Sequence, residues 1–210
     1  MSVVDARPLL ALGPVIPVLT IKDVAVAVPL ARALVAGGLS VLEVTLRTPQ
    51  ALDAIAAMRA GVPDAVVGAG TITRPDDIGR AIAAGAQFLV SPGTPPDLAA
   101  ALADATVPVL PGCATVSEAM ALAARGFTCL KFFPAEPAGG VAFLKSLAGP
   151  LPGLAFCPTG GIDAGRAPSY LALANVGAVG GSWVVPDEAV KAGDFSRIEE
   201  LARAASVLRG

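Results

Sequence analysis

Eight successive units, each a short apolar run followed by an alanine-rich helical pattern, predict an α/β fold of the (β/α)8 or TIM-barrel class, as a single domain over residues 1–210. The apolar runs are hydrophobic at nearly every position, as parallel strands covered on both faces must be. No linker or composition shift divides the chain, and the units repeat at roughly 20 to 25 residues, somewhat tighter than the typical barrel of about 250 residues. A doubly wound open sheet is the other topology this alternation allows. It is disfavoured because no GxGxxG follows an early strand and because even spacing suits closure.

The units run in order along the chain. The strand Val15–Leu19 leads into a helix near Asp23–Ala36, which ends at Gly37-Gly38. Ser40–Leu46 leads into Pro49–Ala60, and Ala65–Gly70 into Pro75–Ala84. Gln87–Gly93 precedes Pro95–Ala103, and Val107–Gly112 precedes Val116–Arg125. Thr128–Pro134 precedes Gly140–Ala148, and Leu154–Gly161 precedes Asp163–Leu173. Val176–Trp183 precedes Pro186–Ala192, and a last helix covers Asp194–Leu208. Prolines after Thr48, Arg74 and Thr94 suit helix entries. Glycines at 37, 85 and 126 suit helix ends.

Composition narrows the function classes. A 54% hydrophobic, 15% charged chain of net charge −2 carries no basic run to bind nucleic acid or an anionic membrane. The charge-free stretch 167–186 holds too many glycines, prolines and polar residues for a lipid-exposed span. Pro8, Pro14 and Pro17 argue against a signal-peptide core, so a cytoplasmic, reduced protein is expected. Cys113, Cys129 and Cys157 are too widely spaced for a metal pair and form no disulfide framework. With no histidine in the chain, there is no Ser-His-Asp triad, Cys-His pair or histidine metal site, and proton transfer falls to carboxylate, lysine, tyrosine, cysteine or water.

Barrel chemistry sits at the carboxyl ends of the strands. The polar residues there are Glu43, Thr45 and Arg47 in "LEVTLRT", Thr71 after "GAG", Lys131 in "TCLKFFP", Thr159 in "CPTGG" and Ser182 in "GGSW". Lys131 stands in an apolar strand, where lysine is rare unless paired. By strand alternation Glu43 shares a face with Thr45, and Lys131 with Cys129 and Phe133. If those faces point inward, an acid and an amine meet. One reading is a buried ion pair that fills the interior. The other is chemical. Burial disfavours the ammonium, the free amine attacks a ketone to give a Schiff base, and Glu43 moves the protons. Arg47 lies four residues on, about 13 Å if extended, and must curl back to offer its guanidinium to a substrate carboxylate. Gly160-Gly161 and Gly180-Gly181-Ser182 fall where barrels often bind phosphate, and a helix expected from Asp163 would add its dipole.

Taken together, "VLEVTLRT", "VGAGT", "SPG", "LKFFPAE", "CPTGGI" and "GGSWVVP" resemble the 2-keto-3-deoxy-6-phosphogluconate (KDPG) aldolases, a family that includes 4-hydroxy-2-oxoglutarate aldolases. The resemblance runs from about Gly13 to Leu208. It implies a class I aldolase, trimeric and free of metal or other cofactor. Such an enzyme splits 2-dehydro-3-deoxy-6-phosphogluconate into pyruvate and glyceraldehyde 3-phosphate in Entner-Doudoroff-type sugar acid catabolism. It further implies that Lys131 forms the Schiff base, Glu43 shuttles protons, and Arg47 and Thr71 hold the pyruvyl carboxylate. Phe133 would pack on the bound chain, Thr159 would contact its hydroxyls, and Gly160, Gly161, Gly181 and Ser182 would hold the phosphate. Thr159 matches the gluconate rather than the galactonate series. The other readings are an aldolase for 4-hydroxy-2-oxoglutarate or the 6-phosphogalactonate epimer, a Mg²⁺-dependent phosphate-barrel enzyme, and a non-catalytic phosphate-binding barrel. The missing second strand-end acid weighs against a Mg²⁺ site.

Overall fold

A computed structural model describes residues 3–209 of the chain. The strands are β1 (Val15–Leu19), β2 (Val41–Thr45), β3 (Val66–Gly70), β4 (Leu89–Val90), β5 (Val109–Leu110), β6 (Gly112–Cys113), β7 (Cys129–Phe132), β8 (Ala155–Pro158) and β9 (Val179–Gly181). The helices are α1 (Arg7–Leu10), α2 (Ala27–Ala36), α3 (Ala51–Gly61), α4 (Pro75–Ala83), α5 (Pro96–Ala103), α6 (Val116–Ala124), α7 (Gly140–Leu147), α8 (Ala167–Leu171), α9 (Asp187–Ala192) and α10 (Phe195–Ser206). No helix among the described residues is long and apolar enough to cross a membrane.

All strand pairings are parallel. Hydrogen bonding divides the strands into a six-stranded sheet, β5-β4-β3-β2-β1-β9, and a three-stranded sheet, β6-β7-β8. This differs from the expected uninterrupted eight-strand ladder. The fifth strand is broken at Pro111, which has no N–H to give to a ladder. Its first half pairs with β4 and its second half with β7, while the Pro111 carbonyl still accepts from Lys131 N–H at 2.9 Å. Isolated parallel bridges, Phe156 to Val176 and Thr159 to Gly180, run between the β8 and β9 segments.

The parity of each strand sorts its side chains into two apolar cores. One face, including Leu42, Val44, Leu130 and Phe132, packs against helix residues such as Leu34, Ile55 and Leu144. The other face carries Ile16, Val41, Val90, Leu110, Cys129, Cys157 and Ala178, packed with Ala6, Leu9 and Leu10 of the α1 segment. Each leucine that α1 buries there is worth roughly 1.5–3 kcal/mol. The four-residue helix was not expected from its proline-rich sequence, although Pro8 in its first turn costs no hydrogen bond.

Helix entries follow local chemistry. Asp23 caps the turn before α2 by accepting from Ala25 N–H at 2.9 Å. Thr115 and Glu118 form a reciprocal capping box on α6, and backbone N–H bonds hold the Glu118 carboxyl below its usual range. The seventh helix departs from expectation. Residues 164–166 are turn, and α8 begins only at Ala167. The helix expected directly after Gly160-Gly161 therefore does not begin there.

Candidate active site

Two residues beyond Val41, on the same face of β2, lies Glu43, and two beyond Cys129 on β7 lies Lys131. They meet above the second apolar core. Lys131 Nζ donates to Glu43 Oε1 at 3.2 Å and to Oε2 at 3.5 Å, and each residue is 3% exposed. The Lys131 Nζ also lies 5.4 Å from the centroid of the Phe133 ring. Gly70 on the adjoining strand makes the pair possible. A Cβ there would fall 2.1 Å from Glu43 Oε1, so any side chain would drive the carboxylate away from the amine.

Above the pair opens a cleft of about 310 Å³ lined by Arg47, Phe133, Thr159, Gly160, Gly161, Gly181 and Ser182, among others. Seven of the ten expected site residues are thus gathered on one surface. Glu43 and Lys131 are not among its lining residues; Phe133, whose ring lies 5.4 Å from Lys131 Nζ, links the pair to it. Thr71 borders a neighbouring hollow, with Arg74 and Asp77, but joins the cleft through Arg47, whose Nε donates to Thr71 Oγ1 at 3.2 Å. The guanidinium has thus curled back from its loop.

Thr71 has a φ of 62°, a left-handed conformation that is costly for a β-branched residue, about 1–3 kcal/mol. The next residues hold it in place. Ile72 N–H donates to the Val90 carbonyl at 3.0 Å, and the buried Asp77 Oδ2 accepts from Thr73 N–H at 3.4 Å and Arg74 N–H at 3.2 Å. The backbone is bent so that the Thr71 hydroxyl meets Arg47.

Gly180, expected as part of Gly180-Gly181-Ser182, lines the cleft too, and so do Val18, Thr20, Ile162 and Asp187, which were not expected. Thr20 directly follows β1, so the strand-end rule that picked out Thr71 would have found it. Its hydroxyl meets that of Thr45 at 3.1 Å, and the Thr45 hydroxyl lies 2.9 Å from the Leu19 carbonyl, which it donates to. Asp187 stands at the first turn of α9, beyond the strand end, where that rule gives no signal. Beside this cleft a second one of about 330 Å³ shares Val18, Thr20, Ser182 and Asp187 but runs away between the β1–α2 connection and α9. Among the described residues no group of three or more His, Cys, Asp or Glu side chains is placed to hold a metal ion.

A lysine amine held against a carboxylate beneath a cleft at the carboxyl ends of parallel strands is the equipment of an α/β enzyme that works through an imine. The sequence comparisons are more specific: a model of the KDPG and KHG aldolases matches residues 7–201, and the chain belongs to that family. It is 52% identical over 202 residues to a 2-dehydro-3-deoxy-phosphogluconate aldolase of Pseudoalteromonas atlantica, covering 96% of this chain and 94% of the relative. A crystal structure of KDPG aldolase from Legionella pneumophila, with pyruvate captured at low pH as a covalent carbinolamine intermediate, is 46% identical. It superposes with a TM-score of 0.94 over 97% of this chain and 98% of its own. The KDPG aldolase of Zymomonas mobilis ZM4 with 3-phosphoglycerate is 47% identical, with a TM-score of 0.92 over 97% and 96% of the two chains.

Proposed function

We infer that this protein is a class I aldolase of sugar acid catabolism that cleaves 2-dehydro-3-deoxy-6-phosphogluconate to pyruvate and glyceraldehyde 3-phosphate. The observation that carries the reading is the buried Lys131 amine 3.2 Å from the Glu43 carboxylate, under a cleft with a guanidinium at one side and glycine loops at the other. Its family relatives act in the same sense, one having been caught with pyruvate as a carbinolamine.

The chemistry runs on these residues. Glu43 is the near acceptor for the proton that Lys131 must lose. The amine adds to the C2 ketone, Glu43 gives its proton to the carbinolamine hydroxyl, which departs as water, and a protonated imine forms beside the carboxylate. Glu43 then takes the proton of the C4 hydroxyl while the C3–C4 bond breaks. Its electron pair flows into the imine, leaving an enamine, and glyceraldehyde 3-phosphate departs. Glu43 returns the proton to C3, and hydrolysis of the imine frees pyruvate and the amine. Arg47, steadied by Thr71, is assigned to the substrate carboxylate, since a guanidinium matches a carboxylate with two parallel bonds. Phe133 packs along the chain, and Thr159 serves the hydroxyls. The Gly160-Gly161 loop and Gly181-Ser182 take the phosphate through backbone and hydroxyl donors, with loop amides doing what a helix dipole was expected to do.

The two sheets are read as one closed (β/α)8 barrel and one catalytic domain. The bridges between the β8 and β9 segments support this, as do the strand halves that flank Pro111, one pairing in parallel with β4 and the other with β7. A cytoplasmic homotrimer is the assembly that the family resemblance implies. The function is tested by pyruvate release from 2-dehydro-3-deoxy-6-phosphogluconate. The wild-type protein should catalyse it, and Lys131→Met, which keeps the length of the side chain but no amine, should abolish it. Undiminished release by the methionine variant would refute the reading.

A further inference from the structure

The loop assigned to phosphate is a glycine pair with φ of 104° at Gly160 and 79° at Gly161. Glycine confers freedom as well as this conformation, and freezing each backbone residue costs about 1–2 kcal/mol. An anion site needs its donors aimed before the ligand arrives, so something must hold the pair.

The carbonyls of the pair and of Thr159 before it all accept hydrogen bonds. Ala135 N–H donates to the Thr159 carbonyl at 2.8 Å, and Glu136 N–H to the Gly160 carbonyl at 3.1 Å. Arg166 Nη1 reaches the Gly161 carbonyl at 3.5 Å. In a trans peptide the C=O and N–H point in opposite directions. Fixing the Gly160 carbonyl therefore aims the Gly161 N–H the other way, and fixing the Gly161 carbonyl does the same for Ile162 N–H. Among the described residues neither N–H has a hydrogen-bond acceptor, and Gly160, Gly161 and Ile162 all line the cleft.

Glu136 is the centre of this clamp. Besides its N–H, its side-chain stem lies directly under the loop. A Cβ on Gly161 would sit 2.8 Å from both Glu136 Cβ and Cγ. One carboxylate oxygen pairs with Arg166 Nε at 3.5 Å, and Arg166 is also held by Asp163 Oδ2 at 2.5 Å. The other oxygen accepts the hydroxyl of Tyr170, a fully buried residue of α8. Burial, then the bond and charge of Glu136, push the Tyr170 phenol up, so it stays a donor.

We propose that Glu136, braced by Tyr170 and Arg166, is a positioning residue that presets the amides of Gly161 and Ile162 for the substrate phosphate. The inference rests on the aldolase reading and deepens its phosphate end. Glu136 stands five residues after Lys131, so one short segment sets the amine and the phosphate donors relative to each other.

The test compares wild type, Glu136→Ala, Glu136→Gln and Tyr170→Phe in two reactions. One is cleavage of 2-dehydro-3-deoxy-6-phosphogluconate and of its unphosphorylated analogue. The other is solvent exchange of the pyruvate methyl protons. Glu136→Ala should lower kcat/KM for the phosphorylated substrate about tenfold or more, the loss of one well-aimed donor to a charged group, mainly through KM. Cleavage of the unphosphorylated analogue and pyruvate exchange should stay within about twofold. Glu136→Gln keeps an acceptor for Tyr170 and should recover part of the loss. Tyr170→Phe should show the same selective pattern in weaker form. Equal losses in all three activities would make Glu136 merely structural, and an unchanged preference for phosphate in every variant would overturn the proposal alone. A wild-type enzyme that exchanges pyruvate but treats both cleavage substrates alike would overturn the phosphate reading, and this inference with it.

Discussion

Glu43 is the acid that the chemistry cannot spare. Its carboxylate touches Lys131, and among the described residues it and Lys131 are the charged pair buried on both sides. Burial of such a pair is weak evidence of stability on its own, because desolvation of two charges can exceed their attraction. A catalytic use explains its presence better. Glu43→Gln keeps the shape but cannot accept a proton. Cleavage should fall by about 10²–10⁴-fold, and exchange of pyruvate methyl protons should fall with it. Full rates in both assays would mean that water or another group moves the protons. The pair was legible in the sequence because a strand of apolar residues broken by one lysine has few explanations, and because a chain without histidine leaves few proton carriers. The φ of 62° at Thr71 was not legible, since β-branched residues carry no local signal for a left-handed backbone.

At the level of elements, the ends of the strands and the loops after them carry the site. Ser182 follows β9, is exposed and lines the cleft. Ser182→Ala removes one hydrogen bond to a charged group, worth roughly 1.5–3 kcal/mol. At about 1.4 kcal/mol per tenfold, kcat/KM for the phosphorylated substrate should fall about 10- to 150-fold. Pyruvate does not extend to that loop, so its proton exchange should barely change. Equal damage to both would make Ser182 structural. Element boundaries were readable where capping and glycine agree with the apolar pattern: β1 spans Val15–Leu19 as expected, and α4 begins at Pro75. They were misread where tertiary pairing decides. The run 107–112 gives two short strands because Pro111 cannot donate, and Asp163 caps a turn through Gly165 and Arg166 instead of starting a helix. The short α1 owes its existence to the core it closes, which no local pattern announces.

Across the whole molecule, burial governs which groups react. Burial, helped by the nearby Glu118, pushes the Cys113 thiol up from 9.0 to about 12. Burial likewise pushes Cys157 up to about 12, against an opposing pull from Lys131. Cys129 is raised too, again chiefly by burial. Thiolate is the reactive form, so iodoacetamide near pH 8.5 should leave these cysteines unmodified in the native enzyme and label them in denaturant. Rapid labelling of Cys157 in the folded protein would contradict this. The linkage has a definite sign: above about pH 9 the unfolded thiols release protons that the folded ones keep, so these groups take stability away as pH rises from about 9 toward 12. Thermal unfolding across that range should show a falling Tm.

The same contrast between buried and exposed groups gives the central claim its sharpest test. The chain has four lysines, Lys22, Lys131, Lys145 and Lys191, and all but Lys131 are exposed. Accessibility alone would favour the other three. The direct measurement is peptide mass spectrometry after borohydride reduction in the presence of pyruvate. The account predicts a reduced pyruvyl adduct on Lys131 alone. An adduct on Lys22, Lys145 or Lys191 in its place, or none on Lys131 at saturating pyruvate, would contradict it.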